Sequence, residues 1–137
     1  MERKLTVPGR YDRLEQICDF VMQAAEEAGL NDREAARCQL AVDEACTNII
    51  EHGYEGEDRG MIEVACEGGA GELVITIQDW ARRFDPGAVP DPKLNVSVEE
   101  MGIGGLGLYF MRQVMDAVEF SYENGGNRLV LMKRRET

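Results

Sequence analysis

AVDEACTNIIEHGY, residues 41–54, carries two messages at helical spacing. Glu44, Asn48 and His52 recur at i, i+4 and i+8, which puts a carboxylate, an amide and an imidazole on one helix face over roughly 12 Å. Ala45, Cys46, Ile49 and Ile50 form an apolar side that faces a core. Asn is a poor residue for mid-helix because its side chain competes for backbone hydrogen bonds, so Asn48 one turn from Glu44 suggests a task beyond folding. An Asn carbonyl oxygen is a hard donor suited to Mg²⁺, which takes few protein groups and keeps waters and phosphate oxygens. A carboxylate one turn away is placed to accept the proton of a group attacking a γ-phosphate. A solvated polar face on an amphipathic helix has the same pattern, and this segment alone does not choose between the two.

Asn31 or Asp32 caps this helix, with Glu34 in its first turn, and it runs to about His52-Gly53. Before it, Leu14, Ile17, Cys18, Val21, Ala24, Ala25 and Ala28 keep helical period from Tyr11 to Ala28, and Gly29 stops that helix. Residues 2–7 suit a short edge strand ending at Pro8-Gly9. After the central helix the period changes: residues 61–67 and 73–79 alternate as strands around a turn at Gly68–Gly71. Residues 84–101 hold three of the four prolines and no periodicity, and a loop of that length is usually functional. A third helix over Leu108 to about Ala117 and a last hairpin (118–122 and 128–133, turning at 123–126) complete the chain. The layout is α+β: one domain over residues 1–137, a two-layer sandwich with helices on one face of a mixed, mostly antiparallel sheet.

Composition narrows the partners. The 137 residues carry 26 acidic and 15 basic side chains, a net charge of −11, which disfavours direct nucleic-acid binding because that affinity comes from Lys and Arg on phosphates. An acidic surface can instead steer towards a basic protein partner, or serve solubility alone. No run approaches the ~20 apolar residues of a membrane span, and MERKLTVPGR has no apolar stretch of the signal-peptide kind. A reducing, cytoplasmic setting is the expectation. Cys18, Cys38, Cys46 and Cys66 are widely spaced with no CxxC pair, so they read as reduced core residues.

Two further features bear on chemistry. Gly102, Gly104, Gly105 and Gly107, with Leu106 among them, open the third helix. Such glycines let backbone N–H groups approach phosphate oxygens, and the helix start adds its positive dipole end. No Lys-Ser/Thr follows, so this is not a Walker loop; a glycine-rich packing turn would look the same. Asp79 ends the strand LVITIQD. An acid there either accepts a hydrogen bond from an exocyclic amine or caps a turn.

Taken in order, the Glu44/Asn48 helix, Asp79, the long loop, the glycine box with its helix (GGLGLYFMRQVMD, 104–116) and the final hairpin resemble the GHKL-type ATPases. The likeness, from about Thr6 to Lys133, is to their stand-alone members, the anti-sigma factor serine-protein kinases of bacterial partner switching. The resemblance implies a Bergerat-type fold, ATP or ADP with Mg²⁺ as cofactors, Glu44 as general base and Asn48 as the Mg²⁺ ligand bridging to phosphate. It further implies Asp79 on the adenine amine, with Ala81 and Phe84 in the same box. Residues 85–101 become a lid, Gly102 to Gly107 the phosphate cradle, and Asn127 the hairpin residue at the adenine end. The implied reaction is γ-phosphoryl transfer to a serine of an anti-anti-sigma antagonist. A sigma factor is the alternative partner, and homodimers are common in the family. The alternative function is a regulator that binds nucleotide and grips its partner without phosphorylating it.

The chain departs from the family pattern near Asp79. Asp79-Trp-Ala-Arg-Arg-Phe84 stands where D-x-G-x-G/P-F/I is usual. Ala81 adds a methyl group where glycine would let backbone and adenine come close, while Arg82 and Arg83 either pair with phosphates or lie in solvent. Asn127-Arg128 replaces a usual Thr; its amide still donates and accepts.

Overall fold

The computed structural model describes residues 2–85 and 105–136. Eight elements follow in the anticipated order: β1 (Glu2–Pro8), α1 (Leu14–Glu27), α2 (Asp32–Asn48), β2 (Met61–Gly69), β3 (Glu72–Asp79), α3 (Gly105–Val114), β4 (Ala117–Glu123) and β5 (Gly126–Arg134). The strands form one five-stranded sheet in the order β1-β2-β3-β5-β4. Every neighbouring pair is antiparallel, so the sheet is purely antiparallel rather than mixed.

Strand alternation explains the layering. Ile62, Val64 and Cys66 of β2, Leu73, Ile75 and Ile77 of β3, and Leu129 and Leu131 of β5 all turn to one face and are buried. They meet Ile17, Val21 and Ala25 of α1 and Cys38, Val42, Ala45 and Cys46 of α2. Each large aliphatic side chain withdrawn from water in this way contributes about 1.5–3 kcal/mol. All four cysteines are free and buried within this interior. Burial pushes the Cys18 thiol up to about 11 and those of Cys38 and Cys66 up to about 12, which makes them poor nucleophiles.

Local chemistry sets the boundaries. Asn31 and Glu34 make a reciprocal capping box: the Glu34 N–H donates to Asn31 Oδ1 at 2.8 Å, and the Asn31 N–H donates to Glu34 Oε1 at 2.8 Å. The other Glu34 oxygen accepts the backbone N–H of Glu136, and Arg37 pairs with the Glu136 carboxylate at 2.7 Å. The chain's last described residues are thereby fastened to the start of α2. Both long hairpins turn on consecutive positive-φ residues, Ala70-Gly71 and Asn124-Gly125, which is the backbone twist that two-residue hairpin loops need. The first helical segment begins as a 3₁₀ turn at Tyr11–Arg13. The third helix starts at Gly105 inside the glycine box and ends at Val114, rather than running from Leu108 to Ala117.

The central helix changes character where the site begins. Its α-helical part stops at Asn48, and Ile49–Gly53 continue as a π-helical turn, with the Tyr54 N–H donating to the Ile49 carbonyl at 2.8 Å. Such turns insert a residue into the helical ladder and recur at functional sites. Glu44 and Asn48 therefore stand on regular α-helix, whereas His52 follows a wider turn. No helix among the described residues is long and apolar enough to cross a membrane.

Candidate functional site

A cavity of about 330 Å³ opens between the end of α2, the ends of β3 and β5, and α3, within the size range of small-molecule sites. Its floor is apolar, from Ile77, Leu129, Leu108 and Met111. Polar groups enter from two sides: Asn48 and His52 from α2 and its π turn, Asp79 and Asn127 from the sheet. The segment after β3 supplies a rim through Arg82, Arg83, Phe84 and Asp85.

Asp79 is buried at 4% exposure. Two described hydrogen bonds reach its carboxylate, and both fall on Oδ1: from the Ala81 N–H at 2.9 Å and from Asn127 Nδ2 at 2.9 Å. Burial holds the carboxyl above its ordinary range, opposed by those two donors. Asn127 does more. Its Nδ2 also donates to the Arg82 carbonyl at 2.9 Å, and its Oδ1 accepts the Phe84 N–H at 2.7 Å. This residue stands opposite Asp79 in the β3–β5 register.

The rim is stitched down at further points. The Tyr54 hydroxyl donates to the Met61 carbonyl at 2.7 Å and accepts the Trp80 N–H at 2.9 Å. Arg82 donates to the His52 carbonyl at 3.3 Å and pairs with Glu55 at 3.4 Å, while Arg83 lies 5.6 Å over the Tyr122 ring. Phe84 packs on Phe120 with ring centroids 5.2 Å apart. Ala81 is buried, and a Cβ built on Gly53 would lie 3.1 Å from the Ala81 methyl. That methyl thus sits against a glycine of the π turn. Neither Tyr54 nor the Gly53–Ala81 contact is legible in the local sequence, since both depend on where β3 meets the π turn.

At the other end, Gly107 of α3 rests on α2. A Cβ added there would overlap Glu44 Oε1, and would lie 2.8 Å from Glu44 Cγ and 3.0 Å from Asn48 Nδ2. Glu44 and Asn48 are half-buried. Burial raises the Glu44 carboxyl above its usual range, and Asp43 and Glu51 push it the same way. Asn48 faces the cavity; Glu44 sits one turn back, beside Gly107 and off the cavity wall. Gly105 begins α3 and Leu106 follows within it. Gly102, Gly104 and residues 86–101 lie outside the described residues.

A Mg²⁺ site is tested by the donor set. Among the described residues no cluster of three or more His, Cys, Asp or Glu could cage an ion. One amide oxygen on a cavity wall, as Asn48 offers, fits an ion that takes most of its ligands from phosphate and water.

The sequence profile of the histidine kinase-like ATPase domain matches residues 7–133. The serine-protein kinase RsbW of Bacillus pumilus is 35% identical over 128 residues, covering 89% of this chain and 79% of its own. That of Listeria monocytogenes serotype 4a is 31% identical over 105 residues, covering 74% and 67%. Among solved structures, the RsbU and RsbW domains of Rv1364c from Mycobacterium tuberculosis superpose with a TM-score of 0.67 at 18% identity. That match covers 98% of this chain and 32% of the mycobacterial one, and shows the fold alone.

Proposed function

The chain belongs to the histidine kinase-like ATPase family, beside the RsbW serine-protein kinases, and on that premise we propose that it is an anti-sigma factor kinase. It binds ATP with Mg²⁺, transfers the γ-phosphoryl group to a serine of an anti-anti-sigma antagonist, and holds a sigma factor when the antagonist is absent. Residues 1–137 act as one such domain in the cytoplasm.

The observation that carries the nucleotide part is that Asn48 and Asp79 face one cavity from opposite sides. Asp79, with both described hydrogen bonds on Oδ1, keeps Oδ2 for the exocyclic amine of adenine, and Phe84 walls the base. Asn48 holds Mg²⁺, which neutralises charge on the phosphates when bound. Gly107 and its neighbours give the phosphates a close backbone approach at the start of α3. Glu44 receives the serine hydroxyl proton; burial among other acids makes its carboxylate a stronger base than an exposed one.

A second reading follows from the position of Glu44 off the cavity wall: nucleotide binding without phosphoryl transfer, the protein gripping its partner only. Incubation with Mg-ATP and a serine-bearing antagonist separates the two. Phosphoserine that disappears with Glu44→Gln supports the kinase. Wild-type protein that binds ATP and yields no phosphoserine leaves the binding module.

A further inference from the structure

Asn127 lies across the cavity from α2, on the strand that pairs with β3, and its carboxamide is taken up by the protein. Nδ2 has two hydrogens; one goes to Asp79 Oδ1 and one to the Arg82 carbonyl, each at 2.9 Å. Oδ1 accepts the Phe84 N–H at 2.7 Å. No donor remains for a ligand. We propose that Asn127 is a positioning residue for base recognition: it makes no donor contact with nucleotide, and holds the Asp79 carboxylate and the Arg82–Phe84 backbone in one frame. This rests on the nucleotide reading above.

The geometry gives the frame a purpose. A carboxylate rotates about its terminal torsion unless one oxygen is fixed. With Oδ1 fixed twice, by Asn127 and by the Ala81 N–H, Oδ2 has a single direction in which to present itself. The same amide ties the backbone that carries Phe84, whose ring is set against Phe120. The hydrogen-bonding edge and the apolar wall of the base site are therefore referenced to one side chain. A shorter hydroxyl residue at 127 could serve Asp79 alone, because it lacks the second donor and the planar acceptor that reach Arg82 and Phe84.

The test compares affinity for ATP with that for purine riboside triphosphate, which lacks the 6-amino group, in wild type, Asn127→Ala and Asn127→Thr. Hydrogen exchange at the Phe84 amide is followed in parallel. Wild type prefers ATP by about tenfold, the worth of one hydrogen bond to a charged group. Asn127→Ala, which leaves only the Ala81 N–H on Oδ1, lowers the preference several-fold and speeds Phe84 exchange. Asn127→Thr keeps the preference and speeds the exchange, which also shows that the fold survives substitution here. Equal losses for both nucleotides in Asn127→Ala, or an unchanged preference, overturn the positioning role while leaving ATP binding intact. Wild type that binds neither nucleotide overturns the nucleotide reading and this proposal together.

Discussion

Gly107 and Glu44 are in contact across the α2–α3 interface so closely that a methyl group on the glycine would occupy the place of the carboxylate oxygen. A side chain at 107 therefore meets Glu44 and Asn48, and the constraint there comes from these neighbours, not from backbone conformation. Gly107→Ala should gain up to about 1 kcal/mol of helix propensity yet displace Glu44 or tilt α3. Melting with and without Mg-ATP is the check: near-normal stability of the free protein, with most of the ATP-dependent gain in Tm lost. A full gain would mean that the interface absorbs the methyl without moving the site.

Ionisation of Asp79 costs the folded protein something. Its pKa is raised by burial, so the folded chain holds that proton more tightly than the unfolded chain does. Stability from this group is present below its unfolded pKa and lost as pH rises through the folded one. Asp79→Asn, which keeps an oxygen for both donors, should melt above wild type at pH 7 without nucleotide. The gap should close as pH falls towards 4, and the variant should gain nothing from ATP. A variant less stable than wild type at neutral pH would contradict this.

Glu34 works in the opposite sense. Backbone donors from Asn31 and Glu136 hold its carboxyl below the ordinary range. Its contribution is present above the unfolded pKa and disappears as pH falls through the folded value. Glu34→Ala removes the capping box and the fastening of residue 136 together, and should cost about 1–2 kcal/mol by urea unfolding at pH 7. The deficit should shrink in acid.

For phosphoryl transfer, Glu44 must be ionised to accept a proton. With its pKa raised by burial, then by Asp43 and Glu51, the single-turnover rate should climb with pH to a midpoint above the usual carboxylate range. Asp43→Asn should move that midpoint down. A rate already flat from pH 4.5 upward would remove Glu44 from the proton transfer.

Tyr54→Phe deletes one hydroxyl that serves both Met61 and Trp80. It should destabilise the fold by about 1–2 kcal/mol, because the Trp80 N–H loses its partner. Thermal unfolding measures this; a neutral change would show that solvent replaces the hydroxyl.

Much of this was legible in the sequence, and the division has physical reasons. Helices announced themselves through the 3.6-residue spacing of Ile17, Val21 and Ala25, and the start of α2 through the Asn31–Glu34 pair. Asn124-Gly125 marked its own turn. The placing of Glu44 and Asn48 one turn apart on one helix, and of Asp79 at a strand end, is legible because helical spacing and a strand end are local properties. The π turn was not, since five residues cannot show a change of period. The start of α3 at Gly105 was missed because glycine argues against helix, and contact with α2 overrides that propensity. The net around Asn127 joins residues 48 and 45 positions apart in the chain, so no window of sequence contains it.

Trp80 is the chain's one tryptophan. It follows Asp79 directly, has its backbone N–H on the Tyr54 hydroxyl, and is 44% exposed. An indole half in water responds in emission wavelength and quenching to small changes in its surroundings. The native protein therefore carries its own optical reporter in the residue that follows Asp79. Ligand titrations and stopped-flow traces taken at that wavelength need no dye, no engineered label and no coupled enzyme.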